Sequence, residues 1–322
     1  TGITLATQFD SASTFAFKNR FINGAMQVAQ RGTSGNSGLT VPTTAPTYPC
    51  VDRWYVYSTV ATVSVAQVAG TGAIKNNLQV TGAASVTSVG VGQRIEQLNC
   101  YDLAGSTCTL SVNMSNSLLT TVTWTASYAT SADTWSAKTQ IATGTFTVTG
   151  TLANYSAQIS VPAAATTGIE ILFTVGAQTS GTWVIGNAQL EKSSVATSFD
   201  YRPFGTELAL AKRYCQVVRG SATTTTPIGN IGCLSTVRAF GAILLEMEMR
   251  IAPVITFSAA ANFSTRNSGG SALTLTVISA TSLTAYAYDI DIQVASGLVA
   301  GNATSTSISI GTSNLITISA EL

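Results

Sequence analysis

The chemistry open to this chain is limited by the side chains that can carry charge. Fifteen basic and fourteen acidic residues are spread over 322 positions, and histidine is absent. No Ser-His-Asp or Cys-His relay can form, and there is no imidazole metal ligand or pH switch. Carboxylate chemistry remains. Glu96 and Glu191 are the pair to weigh for glycoside hydrolysis, which needs two carboxyl groups flanking the scissile bond. Both lie among apolar strand residues and arginines. A paired arginine lowers a carboxyl pKa, the wrong direction for a general acid. Scaffold is the better reading, and no catalytic residue is assigned.

Metal and thiol chemistry fare no better. Asp289-Ile290-Asp291 offers oxygen ligands, but no Asp-x-Asp-x-Asp-Gly calcium loop accompanies it, so no cofactor is assigned. Cys50, Cys100, Cys108, Cys215 and Cys233 are odd in number and irregularly spaced, without a Cys-x-x-Cys pair. Reduced, buried thiols and folding in a cytosol are expected.

Aromatic faces are the other functional resource, since a sugar ring stacks on an exposed indole or phenol. Trp54 and Trp183 lie in apolar strands and read as core, whereas Trp135 sits on a polar turn and could face outward. Further along, Tyr286 and Tyr288 are expected on one strand face leading to Asp289 and Asp291. Arg266 and Asn267 lie in a nearby Gly-rich loop. This second group suits carbohydrate recognition by stacking plus hydrogen bonding.

The elements that must position these residues are strands. Ser111-Val112-Asn113-Met114, Thr121-Val122-Thr123-Trp124-Thr125 and Ser307-Ile308-Ser309-Ile310 alternate small polar with apolar residues, and Gly, Asn and Ser clusters punctuate them. An all-β fold is predicted: an antiparallel, jelly-roll-like β-sandwich over 19–203, then a linker with a short helix over 204–221. A smaller β-rich tip domain over 222–322 completes it. Residues 1–18 read as an arm or connector and 33–47 as an exposed loop. Helical stretches are predicted at Ala25–Gln30 and Glu207–Tyr214, and a strand at Ser282–Tyr288.

Composition narrows the partners. Charged residues make up 9% of the chain, against roughly a quarter in ordinary soluble proteins, and the net charge is +1. Such a surface has no basic field for nucleic acid. Mean hydropathy is +0.32, yet no run of eighteen apolar residues occurs, so no membrane insertion is expected. Apolar strand faces that one sandwich cannot bury imply self-association.

A set of short motifs recurs in a telling order. Asn19-Arg20-Phe21-Ile22-Asn23-Gly24 runs to Gln30-Arg31-Gly32, followed by Asp52-Arg53-Trp54 and Gln93-Arg94-Ile95-Glu96. Asn187-Ala188-Gln189-Leu190-Glu191, Phe199-Asp200-Tyr201-Arg202-Pro203 and Glu207-Leu208-Ala209-Leu210-Ala211-Lys212-Arg213-Tyr214 close the series, and the chain stops at Ala320-Glu321-Leu322. In this order the set resembles the C-terminal modules of bacteriophage tail-fibre and related receptor-binding proteins. Ala211 stands where those modules often have cysteine.

The resemblance implies a carbohydrate-binding-module-like jelly roll, a homotrimer on a virion, contact with other virion proteins through the N-terminus, and attachment to a host-surface glycan or outer-membrane component. A purely structural virion part and a polysaccharide depolymerase are the alternatives. From the residues themselves, Arg53, Arg94, Arg202 and Arg213 with Glu96, Glu191, Asp200 and Glu207 are expected to form a partly buried ionic network. That network would make the sandwich a rigid spacer and leave recognition to the tip, at Arg266, Asn267, Tyr286, Tyr288, Asp289 and Asp291, with Trp135 as the site if the sandwich binds instead.

Overall fold

Alternation of apolar and small polar residues builds two five-stranded antiparallel sheets in the computed structural model, which describes residues 17–32, 47–311 and 315–322. All but the last two residues of the expected arm, and all but Thr47 of the expected loop at 33–47, lie outside the described residues. The sandwich strands are β1 (Tyr55–Thr59), β2 (Ser64–Ala69), β3 (Asn76–Thr81), β4 (Ser88–Ile95), β5 (Thr107–Asn116), β6 (Thr121–Ser131), β7 (Thr134–Thr147), β8 (Ala153–Ser160), β9 (Ile169–Val175) and β10 (Thr182–Glu191). One sheet runs β1-β4-β9-β6-β7, the other β2-β3-β10-β5-β8. The helix α1 (Phe204–Lys212) follows.

The sandwich core lies between the sheets. Val89, Val91, Ile171, Phe173, Val122 and Trp124 point inward from one side, and Leu78, Val80, Leu110, Val112, Trp183 and Ile185 from the other. Trp54 and Trp183 are fully buried, the core position expected of both. All five cysteines are buried and free. Burial pushes the Cys50 thiol up to about 11 and the Cys100 thiol to about 12, so neither is a nucleophile at neutral pH.

The helix expected at Ala25–Gln30 is not there. Asn23 takes the left-handed conformation at φ 59°, and its side chain replaces the helical bonds. Its Nδ2 donates to the Val28 and Asp52 carbonyls at 2.8 and 2.9 Å, and its Oδ1 accepts from the Val28 amide at 2.9 Å. Met26, also left-handed at φ 55°, breaks the run from within. Asp52 holds the next turn by accepting from the Gln30 amide and side chain.

The chain divides into two compact units, residues 1–211 with Leu322, and residues 212–321. The second unit contains β11 (Cys215–Arg219), β12 (Thr226–Cys233), β13 (Arg238–Leu244), β14 (Val254–Phe257), β15 (Phe263–Arg266), β16 (Ala272–Thr281), β17 (Ala287–Val294), β18 (Ala303–Ile308) and β19 (Leu315–Ser319). Six of these close into a barrel in the order β12-β13-β17-β16-β15-β18, and β11-β19-β14 form a small sheet. The strand expected at Ser282–Tyr288 is mostly a turn. Ser282 is left-handed at φ 51°, and the strand begins only at Ala287.

Replacing Asn23 by alanine would remove three hydrogen bonds to buried main-chain groups, of which the Val28 carbonyl keeps a second donor, the Asp52 amide. A loss of about 3–5 kcal/mol in urea unfolding is expected. A loss below about 1 kcal/mol would mean that the loop does not depend on this side chain.

Candidate functional site

The motifs at the front and back of the sandwich meet as one hydrogen-bonded seam. The Asn19 side chain donates to the Ala188 carbonyl and accepts from the Phe21 and Leu190 amides. Gln93 brackets Ile22 by accepting its amide at 2.8 Å and donating to its carbonyl at 2.9 Å. Arg202 donates to the carbonyls of Asn19 and Phe21 and to Glu207 Oε1. Glu207 in turn accepts the Asn23 amide. Asp200 accepts the Asn19 amide, and its own amide donates to Gln189.

Other members of the expected network sit elsewhere. Glu191 was expected beside arginine, but it accepts from neutral groups: the Thr197 amide and hydroxyl and the Gln189 side chain. The close spacing of Glu191 and Thr197 across one turn brings these donors to it. Glu96 is buried just past β4, on the sheet opposite Glu191. Arg53 is buried in the left-handed region and donates to the Arg94 carbonyl at 2.6 Å. Arg213 falls in the second unit, where its carbonyl accepts the Arg250 amide.

Arg94 opens onto a different feature, the outer face of the β1-β4-β9-β6-β7 sheet. Strand register places Arg94, Glu170, Ser127 and Gln140 in one row across β4, β9, β6 and β7. The next row is Gly92, Leu172, Thr125 and Thr143, and the one after is Gly90, Thr174, Thr123 and Thr145. Tyr55 and Tyr57 stand opposite Gly92 and Gly90 on β1. A Cβ at Gly90 would lie 2.1 Å from the Tyr57 ring, and one at Gly92 would lie 2.4 Å from the Tyr55 hydroxyl. Both phenols therefore lie flat across β4, and only glycine permits it.

Charge on this face is concentrated at one buried carboxylate. Glu170, with a side chain 2% exposed, accepts from Arg94 Nε at 2.9 Å and from Lys138 Nζ. The Tyr55 hydroxyl also hydrogen-bonds to it; burial first, and then the Glu170 charge, push the Tyr55 phenol well above its usual range. The Arg94 guanidinium lies over the Trp135 ring at 5.1 Å and the Tyr55 ring at 5.6 Å. Its Nη1 donates to the Leu322 carbonyl, which also accepts the Tyr48 hydroxyl. Trp135 is half-buried, against Gly168. The result is a pinned aromatic and guanidinium group on the sheet face whose further rows carry threonines.

Sequence reasoning missed Glu170, Tyr55, Tyr57 and the two glycines. The signal was present in Val89-Gly90-Val91-Gly92-Gln93-Arg94, whose alternation aims the glycines and Arg94 at one face, and in Ile169-Glu170-Ile171.

In the second unit the expected site does not assemble. Tyr288 was expected to share an exposed face with Tyr286, but it is 2% exposed inside the barrel while Tyr286 is 62% exposed. The strand begins one residue before Tyr288, so alternation sends it inward with Ile290 and Ile292. Asp291 is held two-pronged by Arg238 at 2.9 and 2.5 Å. Arg266 pairs with Ala272 at the start of β16, and Asp289 pairs with Thr281 at its end. Those ends are roughly 30 Å apart at about 3.3 Å per residue. Asn267 caps its own loop by accepting the Ser271 amide, and Arg266 donates to the Gly270 carbonyl. Arg266 and Asn267 are thus separated from Tyr286 and Asp289.

No family model matches the chain, and no curated protein does. Among solved structures it is similar to a CBM4 carbohydrate-binding module, at 15% identity over 53% of this chain and 98% of that one, with a TM-score of 0.37. It is similar also to the C-terminal family 22 carbohydrate binding module of Clostridium thermocellum Xyn10B, at 15% identity over 45% of this chain and 89% of that one, TM-score 0.33. A third is the enzymatically active domain of tailspike protein 4 of bacteriophage CBA120, at 17% identity over 54% of this chain, TM-score 0.38. The match spans 21% of that tailspike chain.

The buried phenols make the fold sensitive to alkali. Burial raises Tyr288 to about 12 and holds Tyr55 well above its usual range, so both stay neutral when folded but ionise near 10 when unfolded. Their contribution to stability is complete below pH 10 and lost as pH rises toward 12. Phenolate absorbance should show fewer than the ten tyrosines ionising reversibly, with the rest appearing only as the chain unfolds. Ten equivalent titrations in a folded chain would contradict this burial.

Proposed function

We propose that this chain is a bacteriophage fibre module that attaches to a host cell by binding an uncharged surface glycan on the outer face of the β1-β4-β9-β6-β7 sheet. The observation that carries the reading is the arrangement around Trp135. A half-buried indole is held by Arg94, which is itself fixed by Glu170, on the outer face whose next rows carry Thr123, Thr125, Thr143 and Thr145. Sugar recognition uses such groups together: a rigid stacking surface and, along the same face, hydroxyl donors and acceptors that carry no charge. The ordered motifs from Asn19 to Tyr214 support the fibre assignment. Their hydrogen bonds support a structural role for them, as the seam that keeps the sandwich closed.

The site is thereby moved from the tip to the sandwich. The proposed action is binding without turnover, since Glu96 and Glu191 are buried on opposite sheets and Glu191 is saturated by neutral donors. In this reading the chain works as a homotrimer on the virion, joined to other virion proteins through its N-terminal side. Exposed Leu244, Val254 and Ile251 of the second unit are apolar surface that neighbouring copies would cover.

Glycan arrays prepared from host envelope fractions test this with the whole chain. Trp135→Ala should weaken binding about tenfold or more while leaving the melting temperature nearly unchanged. Binding should depend little on salt, because no ion pair forms with the ligand. Undiminished binding by the Trp135 variant would remove the site from this face. No binding to any glycan would favour a purely structural virion part.

A further inference from the structure

Beyond the Arg94 row, the same sheet face changes character. Alternation on β4 turns Val89 and Val91 into the core and leaves Gly90 and Gly92 on the outer face. At Gly90 the place of a side chain is taken by the Tyr57 ring, whose Cε1, Cζ and hydroxyl lie 2.1, 2.3 and 2.7 Å from where a Cβ would stand. One side of that phenol rests on backbone. Tyr55 does the same at Gly92 but is 3% exposed, with the Arg94 guanidinium over its ring. Tyr57 is half-buried, and among the described residues no cation or second ring lies over it.

Hydrogen bonding separates the rows in the same way. Glu170, in the Arg94 row, is engaged by Arg94, Lys138 and Tyr55. In the next row the Thr125 and Thr143 hydroxyls lie 3.3 Å apart, and Thr143 also donates to the Trp124 carbonyl. In the third row the hydroxyls of Tyr57, Thr174, Thr123 and Thr145 make no hydrogen bond among the described residues, and none of the four is a buried, unpartnered atom. They face solvent and are available to a ligand. Neither of these two rows contains a carboxylate, an ammonium or a guanidinium, and Leu172 is their one aliphatic side chain. That is too little apolar surface for the core of a protein interface. It suits a sugar, whose C–H face stacks on a phenol and whose hydroxyls both donate and accept.

This row lies well away from Trp135. Trp135 stands against Gly168, and Thr174 comes six residues later along β9, about 20 Å at roughly 3.3 Å per residue. No single sugar ring bridges that span. We propose that Tyr57 is a second stacking platform on this face, with Thr174, Thr123 and Thr145 as its hydrogen-bonding floor. The ligand is then an uncharged linear oligosaccharide that lies along β9 and reaches from Tyr57 to Trp135. This rests on the glycan-binding reading above and adds to it the length and direction of the ligand.

The test uses neutral polysaccharide from the host envelope, cut by partial acid hydrolysis and sized from single sugars to long fragments. Each size is titrated calorimetrically into the whole chain. Affinity should climb with fragment length and level off once both platforms are covered. Tyr57→Ala should weaken binding of long fragments at least about tenfold, whereas Tyr57→Phe, which keeps the ring, should stay within about threefold. Thr174→Val, which removes one hydroxyl at nearly constant volume, should weaken it about three- to tenfold. Full-strength binding of long fragments by Tyr57→Ala, or affinity indifferent to fragment length, would overturn the proposal. If Trp135→Ala still weakened binding in that case, the glycan-binding face itself would stand. Binding insensitive to both aromatic changes, or absent for every fragment, would remove the face and the proposal together. Where Tyr57→Ala does not fold, Thr174→Val carries the test, and its undiminished binding overturns the proposal equally.

Discussion

The clasp between Arg202 and Glu207 closes the first unit on itself, and most of what the sandwich does depends on it. Arg202 gathers the Asn19 and Phe21 carbonyls from the start of the described sandwich, and Glu207 receives the Asn23 amide. Chain segments some 180 residues apart in sequence are thereby fixed side by side. Both side chains are almost fully buried, where a lone charge costs several kcal/mol and a hydrogen-bonded pair is tolerated. The clasp specifies one closure of the sandwich, because any other leaves a charge or a main-chain group without its partner.

The open sheet face inherits its order from a similar device. Glu170 is the common acceptor for Arg94, Lys138 and Tyr55, so one buried carboxylate sets the position of a guanidinium and a phenol. Arg94 then holds the Trp135 ring. Gly90 and Gly92 let the tyrosines lie down on the strand, which keeps the neighbouring threonine strip shallow and open. Rigidity of this kind favours binding, since little side-chain entropy is left to lose when a ligand arrives.

Much of the scaffold could be read from residue order, and much of the site could not. The period-two alternation in Thr121–Thr125 gave a strand because a half-buried pleat suits alternating Thr and Val, whereas of Ser307–Ile310 only Ser307 and Ile308 fall in a strand, at the end of β18. Ala25–Gln30 misled because helix propensity is a local preference, and Asn23, a few residues away, supplies competing bonds that sequence spacing does not display. Tyr288 failed for a subtler reason: the strand starts only at Ala287, so Tyr286 lies before it and shares no strand face with Tyr288, which alternates inward with Ile290 and Ile292. Glu170 escaped notice because its importance lies in which strands neighbour β9, and strand order is a property of the whole sheet. The separation of Arg266 from Asp289 is of the same kind, being set by barrel register and not by nearness in the chain.

The claim that one ionic clasp closes the sandwich is tested most directly by a double-mutant cycle on Arg202→Met and Glu207→Gln, read by urea unfolding of the whole chain. Each single change should be strongly destabilising, by about 3 kcal/mol or more, since it strands a buried partner. The double variant should lose clearly less than the sum of the two, giving a coupling of about 1–3 kcal/mol. Additive losses, or single changes each costing under about 1 kcal/mol, would show that the sandwich closes without the clasp.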